Sequence, residues 1–502
     1  MTHVQESYWK GIWKHFRRHR LGSLAFYVVC LFCLVGVYAP FLASSKPLFV
    51  IYASEPYFPL FRYLFYSGFY TKLLDLFFNL LIFTQPLFLI ALWLFREKKR
   101  FFITSGIIAI QFIAFGYFSY FPIRDPNSNS QLNIERELAL KSGQSLQPDW
   151  NFDLRYMTPY AKLNLLLRYS QRESEHRSLL PYLAAYTAGT QQKKLPTLWQ
   201  TELDNEEREI NRFHEIIGND AGHNTKEAEE AKRQLKYLQN RRSWLEAQNK
   251  ELKFKVMPLL SAFHWEDDAG GQQALNQYVP WWKLTRINRK DLLSALIFGV
   301  RISLVVGITA VALALLIGVP IGAMAGFYGG TLDIVVCRLL EIWEAMPIFF
   351  MLLMVVAILQ NKSIFLVIAV IGFFGWTGFS RFIRGEFFKQ RNLAYVEACH
   401  ALGFRDSYIM FRHILPNAVP PVLTLLPFAM MGAITSEAAL SFLGLGEEGS
   451  SSWGVLMDEG RTAFPQESYL MWPPAILLTI LLVAIAMVGD SLRDAIDPKL
   501  KR

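Results

Sequence analysis

The apolar residues of this chain are gathered into runs of roughly 18 or more, the length needed to cross a bilayer core. Those runs lie at the two ends of the sequence, and none falls between about 125 and 290. The remainder carries most of the 51 Lys and Arg and 42 Asp and Glu, too many charges for a chain made only of membrane helices. The pattern is membrane, soluble, membrane. It predicts an all-α polytopic membrane protein with about eight transmembrane helices and a helical extracytoplasmic insertion.

The spans fall at about 23–43, 74–95, 101–121, 297–325, 333–359, 363–381, 416–440 and 470–489. The net charge of +9 does not point to nucleic acid, because the basic clusters abut these runs: Lys10 to Arg20, Arg96 to Arg100, Arg381 to Arg412 and Lys499 to Arg502. They read as anchors to membrane lipid. With the N-terminus cytoplasmic, an even number of spans places all four clusters, and both termini, inside. The outer loop Ser441 to Tyr469 then carries Glu447, Glu448, Asp458, Glu459 and Glu467 against one Arg461, the expected sign asymmetry. The first apolar run is too long, and too poorly terminated, for a cleaved leader.

Four regions follow: 1–45, the basic N-terminus and first span; 46–121, two further spans; 122–290, the outer insertion; and 291–502, a core of five spans with a cytoplasmic loop at 382–416. Within the insertion, Thr201 to Ile217 and Thr225 to Lys255 read as two helices, with Leu238, Leu245 and Leu252 recurring every seven residues. Their charge is a solvated face, and their role is docking or structural. The group His264, Glu266, Asp267 and Asp268 lacks the spacing of a metal site and reads as a surface loop. Cys30 and Cys33 have a CxxC spacing but sit inside an apolar run, where a thiol behaves as a small hydrophobe.

The most informative stretch is Glu397-Ala398-Cys399-His400-Ala401-Leu402-Gly403, followed by His413-Ile414-Leu415-Pro416. An acid leading an Ala-rich turn, a Gly that permits reversal, a second short helix and Leu-Pro before a new span describe a compact knob at the membrane surface. This stretch resembles the "EAA" loop of ABC importer permeases. The resemblance narrows to the C-type dipeptide and oligopeptide permease subunits on four further segments: Phe298 to Leu304, Gly326 to Gly330, Ser441 to Gly446 with Ser452 to Gly454, and Gly489 to Pro498. It covers about 284–498 and, more weakly, the N-terminus. Spans 74–95 and 101–121 and most of the insertion have no counterpart, and Leu284 to Asp291 retains only part of the family's GTDxxGRD.

The resemblance implies a channel-forming subunit whose loop residues Glu397, Ala398, Gly403, His413, Leu415 and Pro416 dock in a groove of an ATPase. It also implies the partners: a second homologous permease, two ABC ATPases and an extracytoplasmic peptide-binding protein in the inner membrane of the cell. Gly318, Gly322 and Gly326 line one helix face and pack either within the subunit or on the partner permease. Arg301 either lines the pathway or snorkels to the interface.

No Gly is followed by Lys, so no GxxxxGK[ST] phosphate loop exists, and HExxH and GxSxG are also absent. The chain is therefore expected not to be an enzyme and to hold no cofactor, the ATP being used by partner subunits. Two rival readings are a membrane-anchored scaffold recruiting partners through the outer block, and a transporter driven by an ion gradient through mid-span acids such as Glu341 and Glu344. The topology makes a direct prediction. A cysteine placed at Gly222 should react with an impermeant thiol reagent once the outer barrier is permeabilised; protection until the inner membrane is lysed would reverse the orientation.

Overall fold

The computed structural model describes residues 8–44, 46–67, 72–95, 97–124, 162–163, 166–167, 198–219, 226–260, 292–359, 362–447, 449–462 and 471–496. Gly222, the group His264 to Asp268 and the segment Leu284 to Asp291 lie outside these residues. The chain forms two units, one of residues 1–36 with 298–502 and the other of residues 37–297.

Two helices open the chain, α1 (Tyr8–Arg18) and the first span α2 (Arg20–Val37). In the second unit, strands β1 (Phe49–Tyr52) and β2 (Glu55–Tyr57) form a hairpin whose turn, Ala53 and Ser54, takes positive φ. Helices α3 (Leu73–Leu94) and α4 (Glu97–Tyr120) then form an antiparallel pair joined by polar groups. Thr84 donates to Gln111 Oε1 at 2.7 Å, and Gln111 Nε2 donates to the Phe77 carbonyl at 2.9 Å. Such bonds hold helices together where apolar contact with lipid is as favourable as contact with protein.

Helices α5 (Leu198–Asn219) and α6 (Lys226–Asn249) follow. The helix expected through Lys255 stops at Asn249, and Leu252–Val256 is instead strand β3, the third strand of a β2-β1-β3 sheet. The segment Leu-Lys-Phe-Lys-Val alternates apolar and basic residues, a strand period that overrides the leucine heptad. Leu252 packs with Val50, Leu163 and Leu167 rather than on Leu238 and Leu245.

The core begins with α7 (Leu292–Tyr328), followed by α8 (Gly330–Ala345), α9 (Ile348–Leu359), α10 (Ile364–Phe374) and α11 (Trp376–Arg391). The span read at 333–359 is broken between α8 and α9 with a bend of 75°. Pro347 has no N–H and disfavours helical backbone in the residue before it, and Met346 is accordingly extended. Among the described residues seven helices are long and apolar enough to cross a membrane, or eight with this bent pair counted as one span.

Three glycines set the core geometry. A Cβ on Gly318 would lie 2.5 Å from the Trp376 carbonyl, one on Gly322 2.3 Å from that of Ser380, and one on Gly326 2.6 Å from that of Arg384. Both rows advance by four residues, so α7 and α11 run parallel with backbones in direct contact. Two parallel spans require the chain to return between them, as the broken span α8–α9 does. Replacing Gly322 by Val should therefore cost more than the ~1–3 kcal/mol of ordinary overpacking and reduce folded protein in the membrane. Gly378, whose Cβ would meet nothing within 4 Å, should accept Ala without loss. Similar thermal stability of the two purified variants would refute this contact.

Candidate coupling site

The loop that follows α11 holds α12 (Ala394–Ala401), a turn at Asp406–Tyr408, a wide π-type turn at Ile409–Ile414 and α13 (Leu415–Leu423). Gly403 closes α12 at φ +75°. The Phe404 N–H donates to the Cys399 carbonyl at 3.2 Å and the Gly403 N–H to the His400 carbonyl at 2.9 Å. This is the Schellman closure, which requires a left-handed residue at the position of Gly403. Pro416 sits in the first turn of α13, where its missing N–H costs nothing.

One side of the loop is fixed. Val396 and Cys399 of α12, Ile409, Met410 and Ile414 of the π turn and Ala418 of α13 share a buried cluster with Phe379, Ile383 and Phe387 of α11 and Ala323 of α7. Burial pushes the Tyr395 phenol above its ordinary range, and the hydroxyl donates to Gln390 Oε1 at 2.7 Å. The other side is open: Glu397 and Ala398 are exposed, as are Leu402 (73%), Phe404, Tyr408 and Phe411. His413, whose Nε2 is buried without a hydrogen bond, stacks on Phe404 with centroids 6.0 Å apart. Glu397, Ala398 and Gly403 thus share one knob, while His413 and Leu415 sit at its root, half-buried.

Charged residues whose partners the sequence does not reveal tie α11, which leads into the knob, to α7 and α8. Asp333 of α8 takes a two-pronged bond from Arg384 of α11, the second prong 2.8 Å long. Arg391 reaches the carbonyls of Gly326 and Phe327 at the end of α7, both at 3.4 Å. Glu344 pairs with Arg381 and Glu341 with Arg338, each at 2.5 Å, so both acids named for ion coupling already have partners. The spacing of Arg381, Arg384 and Arg391 along one helix was visible in the sequence, but the acids that meet them come from a distant segment.

Arg301 is fully buried. Its Nε donates to the Gly36 carbonyl at 2.7 Å, and its guanidinium lies 4.9 Å from the Phe298 ring. It satisfies an orphan carbonyl at the end of α2, where a cation also complements the helix dipole, so it does not snorkel. After α13 come α14 (Leu426–Leu440), a kinked turn at Ser441–Leu445, α15 (Trp453–Thr462) and the last span α16 (Trp472–Ile496). Glu437 is buried there and accepts the hydroxyls of Ser441 and Ser452, each at 2.7 Å. Gly454 sits against the Ala438 carbonyl, where a Cβ would be 2.5 Å away. The Ser441–Gly446 and Ser452–Gly454 segments are thus two parts of one packed unit.

The fold and the loop define a polytopic membrane subunit with one rigidly mounted, partly apolar knob between two spans. The family model for the inner membrane component of binding-protein-dependent transport systems matches residues 318–502, and that for the N-terminal TM domain of oligopeptide transport permease C matches 7–59. The chain is 38% identical over 219 residues to the peptidoglycan transport system permease protein YejE of Agrobacterium fabrum, covering 43% of this chain and 57% of that protein. It is 36% identical to the inner membrane ABC transporter permease protein YejE of Escherichia coli, over 43% of this chain and 63% of the other. With the oligopeptide transport system permease protein OppC of Haemophilus influenzae the identity is 37%, over 43% of this chain and 69% of the relative. The chain belongs to this family of binding-protein-dependent, multi-pass inner membrane permeases. It spans about three-fifths of the length of the first two relatives.

The buried acid yields a test. Glu437→Leu leaves the Ser441 and Ser452 hydroxyls without their acceptor, at about 1–3 kcal/mol for each buried group. Glu437→Gln retains an acceptor oxygen, so thermal unfolding of the purified Leu variant should begin at a clearly lower temperature than that of the Gln variant. Equal midpoints would remove the acceptor role.

Proposed function

We propose that this chain is one of two channel-forming subunits of an ATP-driven importer of peptides. A second homologous permease completes the channel, two ABC ATPases bind the cytoplasmic loops, and an extracytoplasmic binding protein delivers the substrate. On this reading both termini and the loop at 382–416 are cytoplasmic, and the insertion faces the binding protein. Peptides as substrate rest on the names of relatives such as the oligopeptide permease above and the dipeptide transport system permease protein DppC of Bacillus subtilis, 30% identical over 254 residues.

The observation that carries the proposal is the two-sided construction of the knob. Its apolar tip, with Leu402 and Phe411, suits an apolar groove, and Glu397 offers a charge to a basic residue of the ATPase. Its inner side is continuous with the cores of α7 and α11, so displacement of the knob moves two spans together.

Glu397→Lys and Gly403→Val test the reading. Neither touches a span, and nothing lies within 4 Å of the position of a Cβ on Gly403, so Val acts only through backbone strain of about 1–2 kcal/mol. Both variants should reach the membrane at normal levels, lose ATPase co-purification and take up little peptide. Gly403→Asn, which tolerates left-handed backbone better, should recover much of the loss. Wild-type uptake by both variants with ATPases still attached would refute the assignment.

A further inference from the structure

The first helix and first span carry a surface used by neither the knob nor the glycine rows. No acidic residue occurs from Ser7 through Ser54. Helix α1 buries Ile12 and Phe16 against Ala495 of α16, with Leu492 and Ile496 around them. Its apolar edge is therefore covered by protein, while Lys14, Arg17 and Arg18 remain exposed. Trp13, 43% exposed, lies 5.2 Å beneath the Arg17 guanidinium. An amphipathic ring under a cation belongs at headgroup depth.

The first span continues the pattern. Arg20, Leu24, Tyr27, Leu31 and Leu34 follow one another at steps of four, three, four and three, which keeps them on one helix face. All are exposed, the last four between 45% and 63%. The opposite face is buried: Gly22 lies on Ser491, Phe32 meets Trp453 edge-on at 6.1 Å, and Gly36 packs on Val300 and Leu304. One face of α2 thus holds the bundle, and the other offers a long apolar stripe with cations gathered at one end only.

We propose that this surface binds an anionic phospholipid, its headgroup among Trp13, Arg17 and Arg20 and its acyl chains along Leu24 to Leu34. A zwitterionic lipid would fit the stripe but gain nothing from the cations, and a free phosphate would leave the stripe unused. Asp494 of α16 reaches this patch but pairs with His19 at 3.9 Å, and the two cations Arg17 and Arg20 select negative charge, each contributing roughly a fivefold gain in affinity near a membrane surface.

The test uses the full-length chain purified in mild detergent, with phosphatidylglycerol or phosphatidylcholine of identical acyl chains added and bound lipid counted by native mass spectrometry. The wild-type protein should retain phosphatidylglycerol in preference, and this preference should weaken as salt is raised. Arg17→Gln with Arg20→Gln should lower phosphatidylglycerol affinity roughly 25-fold and leave phosphatidylcholine unchanged. Lys499→Gln with Arg502→Gln, at another basic cluster, should behave as wild type. Equal retention of the two lipids overturns the proposal, as does a preference that survives the Arg17 and Arg20 changes. A dimer that Leu31→Ser dissociates, without lipid selectivity, would assign the stripe to a second copy and overturn it also.

Discussion

The contact between α7 and α11 organises the core. Gly318, Gly322 and Gly326 let the two backbones meet where any side chain would force them apart. In lipid, apolar side chains gain little from leaving their neighbours, so close backbone approach and its dispersion are among the main forces available for specifying a helix pair. With the pair fixed and parallel, α8–α9 must return the chain between them, and the break at Met346–Pro347 lies within that return. The residues that emerge from α11 enter the knob, so its mounting inherits the precision of the glycine contact.

Charges reinforce the same contact. Asp333 and Arg384 join α8 to α11 at a point adjoining Gly326, and Arg391 reaches the carbonyls that end α7. Both arginines also lie over Phe388, at 4.9 and 4.3 Å from its ring. A partly buried bidentate pair has fixed geometry, unlike an exposed ion pair, and its value here is alignment more than net stability. The cluster that runs from Phe387 to Val396, Ile409 and Ile414 then carries that alignment into the loop. Apolar packing, backbone contact and ion pairs all converge on the two helices that hold the knob.

Much of this was legible in the sequence because it depends on local pattern. Apolar runs mark spans through the length of the bilayer core, and Gly403 marks a helix end because φ +75° disfavours most side chains. The glycine spacing announced a close contact, but only the structure supplies its partner, since Trp376, Ser380 and Arg384 contribute carbonyls that no sequence pattern distinguishes. The same limit hid the acceptor of Arg301 and the two donors of Glu437. Strand β3 was missed for a different reason: a leucine heptad carried past Asn249 obscured a five-residue alternation whose pairing partner, β1, lies some two hundred residues earlier. Non-local pairing is not written in either strand alone.

The position of Arg301 shows how one chain can carry both a family core and a long insertion. The core unit leaves off at Gly36 and resumes at Phe298, and the hydrogen bond from Arg301 to the Gly36 carbonyl joins these two ends. The entropy cost of closing a loop grows only logarithmically with its length, so adding residues to an already long excursion changes little once its ends are held. Holding the ends is the demanding step, and a buried arginine does it with a single charged group that caps α2 and packs on Phe298. The residues between can then vary in number and kind while α2 keeps its place in the core.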